Sequence, residues 1–295
     1  MAKKKFVPVV AVLNMKGGVG KTTLSANVFR RLYFEKEVST LLLDLDPQFN
    51  LTQALFKRQE YDKLRANGRT LAQVFNQPTK AGLVEISMAH QQIPSAVDLA
   101  KTFWFLTGSD PRVHLDVVPG DFALVKYSLV DDKAKLDQAQ KRFSTFVDSA
   151  KKDYGLIVLD CNPSSSFLTV CALSVCTHVL VPVKMDKYSV LGLELLWEFV
   201  HDILPISPKP DFIVLLNAVK RSKPTKAMVE TEAELRGHKI FGVKTLGNSV
   251  RDTGQLNAKT DYTGFSVDRK TSGTGKVKGE LNNVANELAS KLGIK

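Results

Sequence analysis

A glycine-rich stretch near the start of the chain constrains the fold most strongly. An apolar run from Phe6 to Leu13 precedes it, and a helical pattern from Thr22 to Phe34 follows it. The stretch reads Asn14-Met15-Lys16-Gly17-Gly18-Val19-Gly20-Lys21-Thr22-Thr23. A strand, a glycine-rich turn and a helix in this order allow backbone N–H groups to cradle a phosphate. The stretch therefore predicts a βα unit with an anion site between the strand and the helix.

Further apolar runs predict a sheet. They cover residues 38–45, 115–118, 156–159, 179–183 and 212–216, with helical patterns over 122–152, 190–203 and 225–236. Continuous apolar strands separated by helices are typical of a parallel sheet that is covered on both faces. We therefore expect an α/β fold with a single doubly wound, mostly parallel sheet, and one domain over residues 1–295. Residues 57–114 are less regular, and we expect one clear helical piece there, from Leu71 to Phe75.

The composition excludes several classes of protein. The sequence has no run of 18 apolar residues, which argues against a membrane-spanning helix. Its basic N-terminus lacks the small-residue cleavage site of a secretory signal, so we expect a cytoplasmic protein. The three cysteines, Cys161, Cys171 and Cys176, form no Cys-x-x-Cys pair. A disulfide framework, a zinc site and an iron–sulfur cluster are therefore poorly supported, and we expect these cysteines to be buried.

The charge is strongly and unevenly basic. The formal net charge is +11, and residues 207–295 carry 16 Lys and Arg against 9 Asp and Glu. A basic surplus of this size favours a polyanionic partner, either nucleic acid or an anionic membrane surface.

Individual side chains in and near the glycine-rich stretch suit phosphate and magnesium chemistry. Lys21 can reach the β- and γ-phosphates of a nucleotide, and the hydroxyl of Thr22 can ligate Mg²⁺. Asp44 and Asp46 end the second predicted strand, and Asp160 ends another. Because the carboxyl ends of strands line the ligand crevice of open α/β sheets, these carboxylates are candidates for the same site.

The motifs resemble those of the ParA/MinD family of ATPases. The segment 16–23 resembles the family's deviant Walker A motif, which carries two lysines. The segment 44–48 resembles its second acidic motif, and 160–164 resembles its Walker B motif. Val181-Pro182-Val183, followed by Tyr188 and Gly192, is similar to the partition ATPases. The resemblance runs from Phe6 to about Arg251, with Phe49 where the family usually has Gly and Asn162 where Pro is common.

The resemblance implies a nucleotide site and a dimer. Residues 16–23 would bind ATP, and Lys16 would reach the ATP of a partner subunit in a sandwich homodimer. Asp46 would orient the attacking water, and Asp44 would support the segment that carries Asp46. Mg²⁺ would lie near Thr22, Asp46 and Asp160, and Asn217 would belong to the base pocket.

The resemblance also implies partners. A partition-type ATPase would bind DNA non-specifically as an ATP dimer on the nucleoid. It would segregate or position plasmid or chromosomal DNA, and a ParB-like adaptor protein would stimulate hydrolysis. The candidate DNA-binding residues are Arg251, Lys220, Arg221 and Lys223.

The alternative is a MinD-like membrane ATPase or an ATPase that positions a protein cargo. A membrane-binding helix needs a basic polar face and bulky apolar residues. One helical face near the C-terminus carries Val277, Leu281, Val284, Leu288 and Leu292. Because that stretch has no aromatic residue and a weakly basic polar face, we expect it to pack against the sheet rather than bind a membrane.

Overall fold

The described part of the chain forms a seven-stranded sheet. The computed structural model describes residues 6–75, 92–105, 113–220, 222, 224–257 and 262–295. The strands are β1 (Val9–Val12), β2 (Thr40–Asp44), β3 (Lys101–Phe105), β4 (His114–Val118), β5 (Leu156–Asp160), β6 (His178–Val183) and β7 (Asp211–Leu216). Their order across the sheet is β3-β4-β2-β5-β1-β6-β7, and only the edge strand β3 runs antiparallel.

Helices connect the strands. They are α1 (Lys21–Lys36), α2 (Asn50–Leu55), α3 (Arg58–Ala66), α4 (Ala72–Phe75), α5 (Ala96–Leu99), α6 (Lys133–Ala150), α7 (Phe167–Val175), α8 (Ser189–Glu198), α9 (Lys226–Gly237) and α10 (Thr274–Lys291). A π-helical turn, Phe199–Ile203, continues α8, and short 3₁₀ turns cover Phe122–Ser128, Gly242–Lys244 and Ser266–Asp268. No helix in the described ranges is long and apolar enough to cross a membrane.

Two apolar cores cover the two faces of the sheet. Successive side chains of a strand point to opposite faces. Accordingly, Val9 and Ala11 join a core with α4, α6, α7 and α8, whereas Val10 and Val12 join a core with α1, α2 and α10. This arrangement confirms the prediction of a doubly wound, mostly parallel sheet.

The C-terminal helix α10 is part of the second core. Its apolar face, Val277, Leu281, Val284 and Leu288, is buried together with sheet residues such as Ile213. The prediction that this face packs within the chain is confirmed. The three cysteines are also buried, as expected.

The expectation of a single helical piece in residues 57–114 is wrong. This segment contains α3, α5 and the edge strand β3 besides α4. Helix α3 is mostly charged and buries only Tyr61 and Leu64, so its apolar periodicity is weak. Strand β3 begins with polar residues and shifts register between Thr102 and Trp104, so it does not resemble a continuous buried strand.

The strand register brings the site together. Asp44, at the end of β2, lies opposite Asp160 at the end of β5. Val12, at the end of β1, is also opposite Asp160, and the glycine-rich loop leaves the sheet just beyond it. The strand ends therefore place the loop and the predicted carboxylates at one edge.

Candidate functional site

The glycine-rich loop leaves an open concavity at the start of α1. Gly18 and Gly20 have φ values of 70° and 93°, in the left-handed region that glycine adopts without strain. A Cβ added at Gly17 or Gly18 would meet nothing within 4 Å. Gly20 precedes α1 and has no side chain to cap it. The first N–H groups of a 16-residue helix thus adjoin open space, an arrangement that favours an anion.

Lys21 is a buried cation at the base of this loop. The residue is 8% exposed, and its Nζ donates to the carbonyl oxygens of Asn14 and Lys16, both at 3.1 Å. Burial lowers the pKa of Lys21, while the charges of Asp160 and Asp46 oppose that shift. An ammonium with little hydration gains more from a phosphate than an exposed one does.

Asp160 connects the strand end to helix α1. Its Oδ2 accepts a hydrogen bond from Thr22 Oγ1 at 2.8 Å, and its Oδ1 accepts one from Ser25 Oγ at 2.7 Å. Burial raises the pKa of Asp160 to about 6, although both hydrogen bonds and Lys21 oppose the increase. The predicted magnesium-site residues Thr22 and Asp160 are therefore in direct contact.

Asp46 faces the cleft, whereas Asp44 does not line it. Asp46 Oδ1 accepts a hydrogen bond from the backbone N–H of Gln48 at 2.9 Å, and burial raises the pKa of Asp46. Asp44 is fully buried, and its Oδ2 accepts hydrogen bonds from the backbone N–H and the hydroxyl of Thr52. Burial, followed by the nearby Asp160 carboxylate, raises the pKa of Asp44 well above its usual range. Asp44 thus fixes helix α2 through Thr52; its role in supporting the segment of Asp46 stays a prediction.

Lys16 lies at the outer side of the loop. It forms an ion pair with Asp186, which follows β6, and both side chains are partly exposed, at 46% and 39%. Although burial opposes ionisation of Asp186, hydrogen bonds from Lys16 and Ser189 keep the pKa of Asp186 below its usual value. The two lysines of the loop therefore differ in environment: Lys21 faces inward and Lys16 faces solvent.

A cleft of about 690 Å³ opens over the loop. Its walls include most of the predicted loop residues, namely Gly17, Gly18, Gly20, Lys21, Thr22 and Thr23, together with Asp46. Beyond the loop it reaches polar side chains such as Asn27, Gln53 and Tyr262. A cleft of this volume is in the range of small-molecule sites. The hydroxyl and carboxylate oxygens around Thr22 are the hard ligands that Mg²⁺ prefers, so the donor set fits that ion.

Comparisons with known proteins identify the family of this chain. Residues 7–206 match the AAA_31 family model, which is described as an AAA domain. The sporulation initiation inhibitor Soj of Bacillus subtilis is 28% identical over 186 residues, which are 63% of this chain and 61% of Soj. The chromosome partitioning protein ParA of Myxococcus xanthus is 27% identical over 240 residues, which are 78% of this chain and 71% of that protein. The chain belongs to the ParA/MinD family of ATPases.

Solved structures support the fold of this ParA/MinD-family chain. A plasmid partition protein of Borrelia burgdorferi bound to AMPPNP has a TM-score of 0.67 at 17% identity, over 97% of this chain and 100% of that chain. The pNOB8 ParA bound to nonspecific DNA has a TM-score of 0.66 at 16% identity, over 98% and 99%. Cobyrinic acid a,c-diamide synthase of Mycobacterium smegmatis, with an ATP analog and magnesium, has a TM-score of 0.67 at 18% identity, over 98% and 97%. At these identities the likeness shows the fold alone.

Val19 of the predicted loop and Asn217 of the predicted base pocket contact each other and do not line the cleft. Asn217, at the end of β7, is buried, and its Nδ2 donates to the carbonyl oxygen of Val19 at 2.7 Å. A Cβ at Gly20 would approach Asn217 Nδ2 to 2.3 Å, so this position accepts only glycine without displacing the amide. Asn217 therefore positions the glycine-rich loop; its role toward a base stays a prediction.

The candidate DNA-binding residues differ in availability. Arg251 Nε donates to both carboxylate oxygens of Glu280, at 2.6 and 2.7 Å, so its charge is compensated within the chain. Lys220 is exposed. Arg221 and Lys223 lie outside the described residues. Lys184 and Lys187, which follow β6, are exposed basic residues that the sequence analysis did not single out.

Several further residues of the site were not predicted from the sequence. Ser25 lies three positions after Thr22, and that helical spacing could have indicated a shared face toward Asp160. Asp186 follows a predicted strand end, which is also a usable signal. Thr52 has no such signal, because its contact with Asp44 depends on how α2 turns back over the sheet. Asn162, which departs from the family pattern, accepts a hydrogen bond from Thr169 Oγ1 at 2.9 Å and thereby fixes the loop before α7.

Proposed function

We propose that this chain is a ParA-type ATPase that hydrolyses ATP with Mg²⁺ in the cleft above the glycine-rich loop. In this proposal, ATP joins two copies into a dimer that binds DNA non-specifically and positions it. The observation that carries the proposal is the buried Lys21, which lies in an open loop at the start of α1 and next to the carboxylates Asp46 and Asp160. The family membership favours the same chemistry.

The loop would bind the phosphate chain. The open space at Gly17 and Gly18 leaves room for phosphate oxygens, and Lys21 offers a charge with little hydration. Mg²⁺, when bound, would neutralise phosphate charge, and the hydroxyl of Thr22 together with Asp160 and Asp46 supplies oxygen atoms to hold it. Thr22 donates its hydroxyl proton to Asp160, which leaves a lone pair of the same oxygen for the metal ion.

Asp46 is our proposed water-orienting residue. It is the one carboxylate of the predicted three that faces the cleft, while Asp44 is turned toward Thr52 and Asp160 toward α1. A carboxylate can accept a hydrogen bond from the attacking water and align it with the γ-phosphate. The hydrogen bond from Gln48 N–H fixes one Asp46 oxygen and leaves the other for this purpose.

Lys16 is our proposed cross-subunit residue. Its side chain is partly exposed and is compensated by Asp186 within the chain. A facing subunit would bring phosphate charge to this surface, and Lys16 could then exchange its carboxylate partner for a phosphate. Because the exchange needs a second subunit with bound ATP, Lys16 would couple nucleotide binding to dimerisation.

The basic charge supports DNA as the partner. Non-specific binding needs phosphate contacts rather than base contacts. Exposed lysines follow the carboxyl ends of β6 and β7, namely Lys184, Lys187 and Lys220. The solved pNOB8 ParA is bound to nonspecific DNA, and the Myxococcus xanthus relative is a chromosome partitioning protein. By analogy, we propose nucleoid association and a ParB-like adaptor that stimulates hydrolysis.

The fold does not by itself decide this function. The same architecture occurs in cobyrinic acid a,c-diamide synthase, so the fold is compatible with different chemistry. The membrane alternative is not favoured, since the apolar face of α10 is covered by the core. The sequence similarity to the chromosome partitioning protein ParA of Myxococcus xanthus favours DNA positioning.

Titration calorimetry with ATP and Mg²⁺ tests the nucleotide site. Lys21→Ala should weaken ATP binding at least about 100-fold, because charge-assisted hydrogen bonds to the phosphates are lost. The control is Lys152→Ala, which removes an exposed lysine beyond α6 and should bind like the parent. Equal affinity in the parent and in Lys21→Ala would contradict the proposed site.

A further inference from the structure

Phe49, three residues after Asp46 and directly before α2, has an unusual backbone conformation. Its φ and ψ are 42° and 44°, in the left-handed region. Bulky L-residues rarely adopt this region, because the Cβ crowds the following carbonyl oxygen. Within the described residues, only Glu37 and Ala218 are other non-glycine residues with positive φ. Such a conformation persists only where the surrounding structure fixes it, and strained residues of this kind are concentrated at functional sites.

The backbone of Phe49 connects Asp46 to helix α2. Phe49 N–H donates to the carbonyl oxygen of Asp46 at 2.7 Å, and Gln53 N–H donates to the carbonyl oxygen of Phe49 at 2.9 Å. Gln48 N–H donates to the Asp46 carboxylate within the same turn. The left-handed turn at Phe49 therefore sets where Asp46 is relative to α2.

The side chain of Phe49 stacks on one ring and lies close to the backbone after β4. Its ring stacks on Tyr61 of α3, with ring centroids 5.4 Å apart and an interplanar angle of 18°. On the other side, Gly120 follows β4, and a Cβ at that position would be 3.0 Å from Phe49 Cβ. Gly120 N–H also donates to Thr52 Oγ1, which binds Asp44. The ring thus fastens the Asp46 turn to α3, while the Cβ of Phe49 lies close to the backbone at the end of β4.

We propose that the Phe49–Tyr61 stack is a latch that positions Asp46 for hydrolysis. The latch holds a turn that the backbone of a phenylalanine disfavours, and it keeps the Asp46 carboxylate at the cleft. Phe49 and Tyr61 are positioning residues, since they act through Asp46 and do not line the cleft. The catalytic consequence rests on the proposed ATP hydrolysis; the latch itself does not.

Hydrogen exchange of the backbone amides in residues 46–53 tests the latch without any nucleotide. Tyr61→Ala should raise the exchange of these amides roughly three- to tenfold, the range expected for loss of an aromatic pair. Tyr61→Phe keeps the ring and should exchange like the parent. Unchanged exchange in Tyr61→Ala would overturn the latch.

Substitutions at Phe49 separate the effect of its backbone strain from the effect of its ring stacking on Tyr61. Phe49→Ala loses the ring but keeps a Cβ in the left-handed region, whereas Phe49→Gly loses the ring and the strain together. We expect faster exchange of residues 46–53 in Phe49→Ala than in Phe49→Gly. In ordinary ordered backbone, alanine is more stabilising than glycine. Faster exchange in the alanine variant than in the glycine variant is therefore specific to a left-handed turn. The reverse order would contradict the account.

Steady-state ATP turnover tests the consequence. In Tyr61→Ala, kcat should fall at least about threefold while KM for ATP stays within about twofold, because the glycine-rich loop is unchanged. Tyr61→Phe should restore kcat. The control is Phe143→Leu, which breaks a similar stack with Phe75 in the other core and should leave kcat unchanged.

The two readouts distinguish the proposals. If the parent neither binds nor hydrolyses ATP, the proposed function is wrong, yet the exchange data still decide whether the latch exists. If Tyr61→Ala loosens residues 46–53 but keeps the parent kcat, the latch does not position Asp46 and the positioning role is refuted.

Discussion

At the residue scale, the site consists of charges held where water solvates them poorly. Lys21 and Asp46 are buried, and Asp44 and Asp160 are almost completely so. Burial lowers the pKa of Lys21 and raises those of the three aspartates. Such groups cost folding free energy unless they are paired, and they are concentrated at functional sites. This arrangement of poorly solvated charges suits a site that binds a phosphate chain and a divalent cation.

Asp46→Ala should separate binding from hydrolysis. The variant keeps Lys21 and the loop, so we expect ATP binding close to that of the parent. Turnover should fall by about 100-fold or more, because the attacking water loses its orienting carboxylate. Phosphate release under saturating ATP measures this effect, with the exposed Asp148→Ala on α6 as control. Turnover at the parent rate would assign the role to another residue, and Asp44 would be the first to examine.

Lys16→Ala should uncouple ATP binding from dimerisation. The cleanest background is Asp46→Ala, in which ATP is not consumed during the measurement. Sedimentation velocity with ATP should show a dimer for Asp46→Ala and a monomer for the Lys16→Ala/Asp46→Ala double variant. ATP affinity should change by less than about tenfold, since Lys21 still binds the phosphates of its own subunit. An undiminished ATP-dependent dimer in the double variant would rule out the cross-subunit role.

At the element scale, the sequence predicted the strands better than the connections. The apolar runs of β1, β2, β5, β6 and β7 identify buried parallel strands because both faces of each strand are covered. The glycine-rich loop and the aspartates at strand ends were predictable for the same reason: the sheet itself positions them. The Asp44–Thr52 contact and the stack of Phe49 on Tyr61 were not, since they depend on how α2 and α3 pack over the strand ends. Edge strand β3 was missed because two polar residues precede its three aromatic residues, so it is not a continuous apolar run.

The start of strand β4 provides a pH-dependent contribution to stability. His114 Nδ1 is 3.1 Å from Asp116 Oδ2, and Tyr154 Oη donates to the same oxygen at 2.6 Å. The contact with Asp116 raises the pKa of His114 above 6.5, although burial opposes the increase; the nearby Asp153 also favours the charged ring. Burial tends to raise the pKa of Asp116, but the nearby imidazole of His114 and the hydrogen bond from Tyr154 hold it below its usual value.

The sign of this contribution follows from linkage. A raised histidine pKa stabilises the fold below about pH 6.5, and the stabilisation is lost as the pH rises through the folded-state value. His114→Gln should therefore lose more unfolding free energy relative to the parent at pH 5.5 than at pH 8.5. Urea denaturation at both pH values measures the difference. A difference between parent and variant that does not change with pH would contradict the predicted coupling.

At the scale of the whole molecule, the central question is which basic side chains are exposed and able to contact DNA. Two carboxylates of α10 hold the loop after residue 246: Glu280 pairs with Arg251, and Glu287 accepts the N–H groups of Gly247 and Asn248. Arg251→Glu would place two carboxylates together and disturb this loop. Lys220 is exposed, so Lys220→Glu reports on DNA contacts with less risk to the fold.

Fluorescence anisotropy with DNA tests the central claim most directly. The measurement uses two unrelated duplexes, Asp46→Ala to retain ATP, and a salt series with ATP or ADP. We expect ATP to raise affinity at least about tenfold over ADP, because a dimer presents twice as many basic residues to one duplex. Both duplexes should bind alike, and log K should fall by about 0.9 per log unit of salt for each phosphate contact. Lys220→Glu should weaken both equally. Failure to bind either duplex at low salt with ATP, or equal affinity with ATP and ADP, would contradict the account of this chain as an ATP-switched DNA-positioning ATPase.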